Sequence, residues 1–210
     1  NYQCGFVPFP LPPIGAVKSG VLTLSAYQPA QAQRQSLPVP FKWPIRVANL
    51  KRCLLVGYLP IDGSDKQLVL VNLHLEAYDD GDGKIAQTNQ LRDFITSEYE
   101  KGNYVIAGGD FNQVFPGSLD IYPIIDPELW TPGVLDENLL PDGWTLAYDL
   151  DTPSCRLLNQ PYDKEDENTQ HYVIDGFILS PNVELTNVQT LGLDFGSSDH
   201  NPVFINVKLK

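Results

Sequence analysis

Short apolar segments separated by turns dominate this sequence and limit what it can fold into. Each is shorter than an average helix, and most carry apolar residues at neighbouring as well as alternating positions, which is typical of strands buried on both faces. Such strands predict an α/β protein whose sheets are stacked and covered by outer helices. The predicted strands cover residues 20–25, 52–59, 67–75, 104–107, 172–179, 183–191 and 202–209.

One segment has the periodicity of a helix. Between Lys84 and Lys101, apolar side chains recur at helical spacing, and Gly102 follows as a natural C-terminal stop. The turn at residues 62–65 predicts that the strands on either side of it form a hairpin. The polar stretch up to Pro40 is predicted to be a loop, and residues 113–170 are predicted to form long loops with short elements.

The length and charge of the chain restrict its organisation and its partners. Its 210 residues contain no internal repeat or interdomain linker, so they predict one domain or a large part of one. The 26 acidic and 14 basic residues give a net charge of -12, which disfavours an extended nucleic-acid footprint because such binding depends on cationic side chains. The acidic charge does not argue against a small phosphorylated substrate. No segment approaches the about 20 apolar residues of a transmembrane helix.

The cysteines do not have the spacing of a structural zinc site. Cys4, Cys53 and Cys155 are isolated, without a Cys-x-x-Cys pair. Cys53 lies in an apolar run and is predicted to be a core residue.

Polar residues at the ends of the apolar runs mark a candidate site. In the run 67–75, period-two alternation places His74 on the face opposite the apolar side chains. The strand 104–107 runs into two glycines followed by Asp110 and Asn112, and glycines let a ligand approach the backbone closely. An Asx turn made by Asp110 and Asn112 is the alternative, purely structural interpretation.

A charged side chain interrupts one of the last strands. Asp175 lies inside the run 172–179, where an unpaired charge would be strongly destabilising. We therefore expect a cationic or donor partner, and His200, which follows Asp199 just before the last strand, is the candidate. Imidazoles can hold a phosphoryl oxygen or move protons, and carboxylates can bind a hard cation, so these residues predict a phosphate site.

Four motifs in this order resemble those of the endonuclease/exonuclease/phosphatase superfamily, which includes deoxyribonuclease I, AP endonucleases, neutral sphingomyelinases and inositol polyphosphate 5-phosphatases. They are Asn-Leu-His-Leu at 72–75, Gly-Asp-Phe-Asn at 109–112, Asp-Gly-Phe-Ile-Leu-Ser at 175–180 and Ser-Asp-His-Asn-Pro-Val at 198–203. Residues 19–25 also resemble its earlier Gly-x-x-x-Leu-Ser strand. The resemblance covers nearly the whole chain from about Gly15 onward.

The resemblance implies a fold, a reaction and a cofactor. The fold would be a four-layer α/β/β/α sandwich with the site at one end. The reaction would be phosphoester hydrolysis that depends on Mg²⁺ or Mn²⁺, and Asp199 would help to hold the cation directly or through water. The substrate would be a small phosphorylated molecule, a lipid headgroup or a nucleic acid, and the acidic charge favours the first two over long duplex DNA.

The resemblance also implies a role for each remaining candidate. His74 would contact the scissile phosphate. Asp110 would orient or deprotonate the attacking water, and Asn112 would position water and phosphate. His200, fixed by Asp175, would act on the phosphate as a stabiliser or as an acid–base group. Whether Asp110 or His200 is the general base stays open.

The sequence departs from the family pattern upstream of Gly15. The family's first strand with its Asn, and the next strand with its metal-binding Glu, have no counterpart there, and Glu76 lies on a different strand. We therefore predict that residues 1–210 are the C-terminal portion of one such domain. The N-terminal remainder of that domain would complete it, and this portion alone would be weakly active or inactive.

Two other functions could use the same residues. A catalytically silent relative could serve as a binding or scaffolding domain, which the missing metal-binding Glu leaves open. A Ser-His-Asp hydrolase built from Ser198, Asp199 and His200 is disfavoured because neighbours in one turn seldom converge as a triad. The sequence also has no Gly-x-Ser-x-Gly nucleophile elbow.

Overall fold

The computed structural model describes residues 3–7, 15–43, 46, 49–78 and 81–210. Within it the chain forms two compact units, Asn1–Ala107 and Gly108–Lys210. Each unit has its own buried residues.

The first unit combines antiparallel strands with one long helix. Its strands are β1 (Gln3–Val7), β2 (Gly15–Ser19), β3 (Gln31–Ser36), β4 (Cys53–Pro60), β5 (Gln67–His74) and the beginning of β6 (Tyr104–Asp110). β1 pairs with β2, while β4 pairs with β3 on one side and with β5 on the other. β6 is the next strand after β5 in the sheet order. The predicted hairpin of two buried strands is therefore confirmed as β4 and β5.

The core of this unit follows the alternation predicted for β5. Val69, Val71 and Leu73 are buried, whereas His74, on the other face, is partly exposed. Cys53 at the start of β4 is buried and carries a free thiol, which confirms its prediction as a core residue.

The predicted helix is confirmed nearly end to end as α1 (Asp82–Glu100). It buries Leu91 and Ile95 against the rest of the unit. Gly102 has a φ of 87°, a left-handed conformation that favours glycine, and its N–H donates to the carbonyl of Tyr99 at 2.8 Å. This glycine ends the helix as its sequence position indicated.

The prediction for residues 20–36 is wrong in two respects. Residues 20–25 do not form a strand, and Leu22 and Leu24 are 71% and 86% exposed. Strand β3 lies instead in the predicted loop. Its sequence Gln-Ala-Gln-Arg-Gln-Ser carries almost no apolar pattern, but its backbone pairs with β4 from Gln31 to Ser36. An edge strand can be held by ladder hydrogen bonds alone, which leave no periodic signal in the side chains.

The second unit is made of short strand pairs and one short helix. After the end of β6 come β7 (Gln113–Val114), α2 (Ser118–Ile121), β8 (Gly133–Val134), β9 (Thr145–Ala147), β10 (Cys155–Arg156), β11 (His171–Tyr172), β12 (Asp175–Leu179), β13 (Val183–Thr190) and β14 (Val203–Leu209). β9 pairs antiparallel with β12, β10 with β11, and β13 with β14. β7 and β8 form a parallel pair.

Aromatic rings fill the core of the second unit. Phe111 and Phe115 are fully buried and meet edge to face at 5.2 Å between ring centroids, and Phe115 stacks on Tyr148 at 4.7 Å. A second cluster forms around Tyr172, whose ring meets Trp130 at 5.1 Å. These contacts anchor the segments that carry the polar candidates.

The single strand predicted for residues 172–179 is divided in the structure. β11 ends at Tyr172 and β12 begins at Asp175. Between them, the carbonyls of Val173 and Ile174 accept hydrogen bonds from the N–H groups of Phe115 and Phe111 at 3.1 and 2.9 Å. These two residues therefore bond outside a regular ladder, although their apolar side chains match those of a strand.

The mixture of parallel and antiparallel strand pairs with helices confirms the predicted α/β class. Within the described ranges, no helix has both the length and the apolar character needed to cross a membrane.

Candidate active site

The centre of the candidate site is a histidine held by a carboxylate. His200 Nδ1 lies 2.8 Å from Asp175 Oδ2, so the partner expected for Asp175 is the one present. His200 follows the turn at Ser198, whose hydroxyl accepts its backbone N–H at 3.1 Å. A backbone bridge between His200 and Cys155 fixes this turn beside β10. The ring of His200 is thus held by Asp175, and its backbone is held by Ser198 and Cys155.

A buried serine holds the carboxylate in turn. Ser154, fully buried, donates its hydroxyl to Asp175 Oδ2 at 2.8 Å. Ser154 Oγ accepts the backbone N–H groups of Ile174 and Asp175, both at 3.0 Å. One hydroxyl therefore uses its donor and both of its acceptor positions at the start of β12. Asp175 cannot turn away from His200 without breaking this arrangement.

The end of β6 supplies the second carboxylate. Asp110 Oδ1 accepts the N–H of Asn112 at 2.8 Å, and Asp110 Oδ2 accepts the side-chain amide of Asn112 at 3.3 Å. Asn112 has a φ of 49°, in the left-handed region that Asn tolerates better than most residues. The predicted Asx turn is therefore present, and it aims the carboxylate: Asp110 Oδ2 lies 3.9 Å from His200 Nε2.

Local sequence explains why the turn forms at this point. Position 108 requires glycine, because the ring of Phe177 occupies the space that a Cβ would need. Phe111, between Asp110 and Asn112, is fully buried and donates its N–H to Ile174 at 2.9 Å. The apolar residue anchors the turn, and the polar residues on either side of it face the site.

Electrostatics favour a charged His200. Burial lowers its pKa, but the hydrogen bonds to Asp175 and Cys155, together with the charge of Asp175, outweigh burial and raise the pKa to about 11. His200 is therefore an imidazolium at neutral pH. One ring N–H is donated to Asp175, and the other, on Nε2, is available to an anion.

Cys155 borders the same nitrogen. Its Sγ lies 3.5 Å from His200 Nε2. Burial raises the pKa of this thiol to about 11, so the group is a neutral thiol at physiological pH. It adds no negative charge to the site.

Asp199 and His74 are two further candidates from the sequence. Asp199 is next to His200, and its backbone carbonyl accepts the N–H of Arg156 at 2.9 Å, which ties the turn to β10. Its carboxylate is not among the three groups that converge below. His74 ends β5 in the first unit and lines a cavity of about 140 Å³ together with Arg52 and Cys53. The roles of Asp199 and His74 stay predictions.

Within the described part of the chain, Asp110, Asp175 and His200 form one group whose potential ligand atoms all lie within 4.8 Å of one another. Two carboxylates and an imidazole match the ligands that divalent cations take from proteins. Each of the three side chains is partly shielded from solvent, with exposed fractions of 13%, 18% and 31%. The arrangement can therefore hold a cation or bind a phosphate.

Glu76 makes several contacts within the first unit. It is buried, and its backbone N–H donates to the side-chain oxygen of Gln87 at 2.9 Å. Its carboxylate accepts the N–H of Ala77 at 3.1 Å and lies 3.8 Å from Arg52 Nε. These contacts already engage the carboxylate.

Comparisons with known proteins identify the fold. No protein-family profile matches the sequence, and no curated protein matches it. Solved structures do match. An endonuclease/exonuclease/phosphatase from Beutenbergia cavernae DSM 12333 has a TM-score of 0.62 at 15% identity, over 99% of this chain and 53% of that chain. The chain has the endonuclease/exonuclease/phosphatase fold.

Two further structures with this fold are similar. ANGEL2, a 2',3'-cyclic phosphatase solved with adenosine-2',3'-vanadate, has a TM-score of 0.56 at 17% identity, over 99% of this chain and 75% of ANGEL2. Truncated TDP2 from Caenorhabditis elegans has a TM-score of 0.52 at 16% identity, over 96% of this chain and 73% of that chain. The chain thus spans about half the length of the Beutenbergia protein and about three quarters of the other two. The endonuclease/exonuclease/phosphatase fold agrees with the superfamily resemblance of the motifs.

Sequence reasoning missed Ser154 and Cys155. Both lie in the region 113–170, where two-residue strands leave no periodic pattern. The one available signal was the buried charge at Asp175, which requires hydrogen-bond donors in addition to its cationic partner His200. That requirement could have directed attention to a nearby hydroxyl, but not to its position.

Proposed function

We propose that the protein is a divalent-metal-dependent phosphoester hydrolase. The observation that carries this proposal is the His200 ring, held on one side by Asp175 at 2.8 Å and facing Asp110 at 3.9 Å on the other. The fold supports it, because similar structures include an endonuclease/exonuclease/phosphatase and a 2',3'-cyclic phosphatase. The activity is proposed for the whole protein, because the chain spans about half the length of the Beutenbergia structure.

His200 is proposed to stabilise the phosphate in the transition state. Because its raised pKa keeps it protonated, its Nε2–H can donate to a phosphoryl oxygen as negative charge develops. It can then pass that proton to the leaving group. A protonated ring cannot accept a proton from water, so His200 fits the stabiliser and acid roles better than that of the base.

Asp110 is the proposed partner of the attacking water. Its carboxylate is fixed by two hydrogen bonds from Asn112 and faces the same space as His200 Nε2. A water placed there can be oriented or deprotonated by the carboxylate. Asn112, whose side-chain amide donates to Asp110, is proposed to position water and phosphate.

The donor set fits a hard divalent cation. Asp110 and Asp175 offer carboxylate oxygens, which Mg²⁺ and Mn²⁺ prefer as ligands, and Asp199 is proposed to add another. When bound, such a cation would neutralise phosphate charge and lower the pKa of a water. His74 is proposed to contact the scissile phosphate.

The proposed substrate is a small phosphorylated molecule or a lipid headgroup. The net charge of -12 disfavours binding of long polyanions. It is compatible with binding of a single phosphate whose charge is neutralised by a cation. A catalytically silent binding domain of the same fold is the alternative, and the experiment below separates the two.

The test is hydrolysis of bis-p-nitrophenyl phosphate by the full-length protein with Mg²⁺ or Mn²⁺. His200→Gln and Asp110→Asn should each lower kcat by at least about 100-fold, the usual size of an acid–base contribution. His171→Gln is the matched control, because His171 packs on Phe195 rather than on the site. It should hydrolyse at the wild-type rate. Full turnover by His200→Gln, or no turnover by the folded wild type on any phosphoester, would contradict the proposal.

A further inference from the structure

The residue that follows His200 is a buried amide that joins three segments of the second unit. Asn201 is buried, and its backbone N–H donates to the carbonyl of Ser154 at 2.8 Å. Its side-chain N–H donates to the carbonyl of Pro153 at 3.0 Å. Its side-chain oxygen accepts the N–H of Leu193 at 3.2 Å. Asn201 therefore links the end of the His200 turn to the start of β10 and to the loop that precedes the turn.

The side-chain bonds of Asn201 depend on its identity, whereas its backbone bond does not. The bond to Ser154 needs only a main-chain N–H, which other residues also have. The two side-chain bonds need a donor and an acceptor on one short side chain, which an amide provides. An ionised aspartate has acceptors only, and alanine has neither group. The amide is thus the part of Asn201 that a substitution can remove selectively.

The bonds of Asn201 complete a closed ring of interactions around the candidate site. Asn201 is bonded to Ser154, whose hydroxyl donates to Asp175 at 2.8 Å. Asp175 lies 2.8 Å from Nδ1 of His200, and His200 is the covalent neighbour of Asn201. Because the ring is closed, a shift of the Ser154 segment relative to the turn also shifts Asp175 relative to the His200 ring.

The same amide fixes the loop that leads into His200. Leu191 donates its N–H to the carbonyl of Pro202 at 2.8 Å, and Leu193 donates to the side chain of Asn201. A buried amide is unfavourable unless its donor and acceptor are bonded, and this loop and Pro153 provide those partners. The loop and the Pro153 segment are therefore held together at Asn201.

We propose that Asn201 is a positioning residue for the phosphoester hydrolysis proposed above. Its side chain acts through Pro153 and Ser154 on Asp175, and so it holds the His200 ring in the orientation that lets Nε2 donate to the phosphate. A displacement of about 1 Å in a catalytic group can lower the rate about 100-fold. The role in catalysis rests on the proposed function, but the hold on the His200 ring does not.

The first test observes the Nδ1–H of His200 in the full-length protein by NMR, with isotope-labelled histidine. The hydrogen bond to Asp175 should slow the exchange of this proton with water, and the His200→Gln variant assigns its signal. Asn201→Ala should speed the exchange at least about tenfold, because the hydrogen bond opens more often when its supports are loose.

The second test is hydrolysis of bis-p-nitrophenyl phosphate by the same variant. Asn201→Ala should lower kcat about 10- to 100-fold with little change in KM, because the misplaced ring loses an interaction made in the transition state. Gln170→Ala is the matched control. Gln170 is also a buried amide, which donates to the carbonyl of Pro123 at 3.1 Å and accepts the N–H of Ile125 at 2.7 Å. Its loss should destabilise the protein without changing the exchange or kcat.

A second variant covers the case in which Asn201→Ala does not fold. Asn201→Asp keeps the acceptor for Leu193 but loses the donor to Pro153, and it should also speed the exchange at least about tenfold. Wild-type exchange in either folded variant, or equally fast exchange in Gln170→Ala, would overturn the positioning of His200. Faster exchange with a wild-type kcat would overturn the role in catalysis. If the wild type hydrolyses no phosphoester but Asn201→Ala still speeds the exchange, the proposed function fails and the positioning stands.

Discussion

A single buried hydroxyl connects the backbone to the reactive side chains. Ser154 donates its hydroxyl to the carboxylate of Asp175, and that carboxylate in turn holds the ring of His200. Its three hydrogen bonds all converge at the start of β12. Ser154 is therefore a positioning residue, and its loss should affect both stability and catalysis.

Ser154→Ala should lower the free energy of unfolding by about 1–3 kcal/mol, because two buried N–H groups lose their acceptor. It should also lower kcat about tenfold and shift the pH profile, because Asp175 is freed to rotate. Urea denaturation and pH–rate measurements check these effects. Ser180→Ala is the control: Ser180 is equally buried but bonds Asn182, so its loss should destabilise without altering the pH profile.

Asp175→Asn should destabilise the protein in a pH-dependent way. The pKa of His200 is raised from 6.5 to about 11, so the folded state binds its proton more tightly than the unfolded state. That stabilisation is complete below the unfolded pKa and is lost as pH rises through the folded pKa. The difference in unfolding free energy between wild type and Asp175→Asn should therefore be larger near pH 6 than near pH 9. A difference that is constant with pH would contradict the ion pair.

At this scale the sequence identifies charged residues better than neutral ones. Asp175 stood out because a carboxylate inside an apolar run demands a partner, and His200 is that partner. Ser154 and Cys155 carry no such signal, because a neutral hydroxyl or thiol does not demand a charged partner. Their contacts with Asp175 and His200 span 21 and 45 residues of sequence, which no local pattern can encode.

Among the elements, β12 is packed closely around its second residue, Gly176. A Cβ on Gly176 would lie 2.7 Å from the ring of Phe115 and 2.9 Å from the carbonyl of Ala147. A Cβ on Gly57 in β4 would meet nothing within 4 Å. The strand that begins with Asp175 is thus packed too closely for any side chain at its second residue.

Gly176→Ala should cost about 1–3 kcal/mol, because β12 must move to relieve the contact. Gly57→Ala should stay within about 0.5 kcal/mol of the wild type. Thermal denaturation of the two variants gives the comparison. Equal stabilities would show that β12 tolerates displacement, and the described packing around Phe115 would then be wrong.

Elements with apolar periodicity were predictable, and those held by backbone bonds alone were not. α1 and the β4–β5 hairpin follow from repeating apolar side chains and flanking glycines. β3 escaped prediction because its stability comes from pairing with β4. Residues 20–25 were wrongly predicted to form a strand because they include apolar leucines. Apolar side chains alone do not provide a neighbouring strand to pair with, and these leucines are exposed.

For the whole molecule, the acidic surface and the proposed cation are linked. A chain with a net charge of -12 that acts on a phosphate needs positive charge at the site. In the second unit His200 supplies part of it. A bound divalent cation is proposed to supply the rest.

EDTA should therefore abolish hydrolysis by the full-length protein, and excess Mg²⁺ or Mn²⁺ should restore it. The physical reason is that the remaining acidic groups repel the phosphate once the cation is removed. Activity before and after chelation is the measurement, with circular dichroism as the control for folding. Unchanged hydrolysis in EDTA would contradict the metal dependence.

The connection between β10 and β11 has a consequence for how such proteins diversify. Residues 158–169 leave and rejoin the body of the protein at one point, where the N–H of Leu157 meets the carbonyl of Gln170 at 2.9 Å. Gln170 is itself buried and bonded to Pro123 and Ile125. Insertions in this excursion that keep the contacts of Tyr162 with Arg156 and Phe195 can reshape the surface without displacing Cys155.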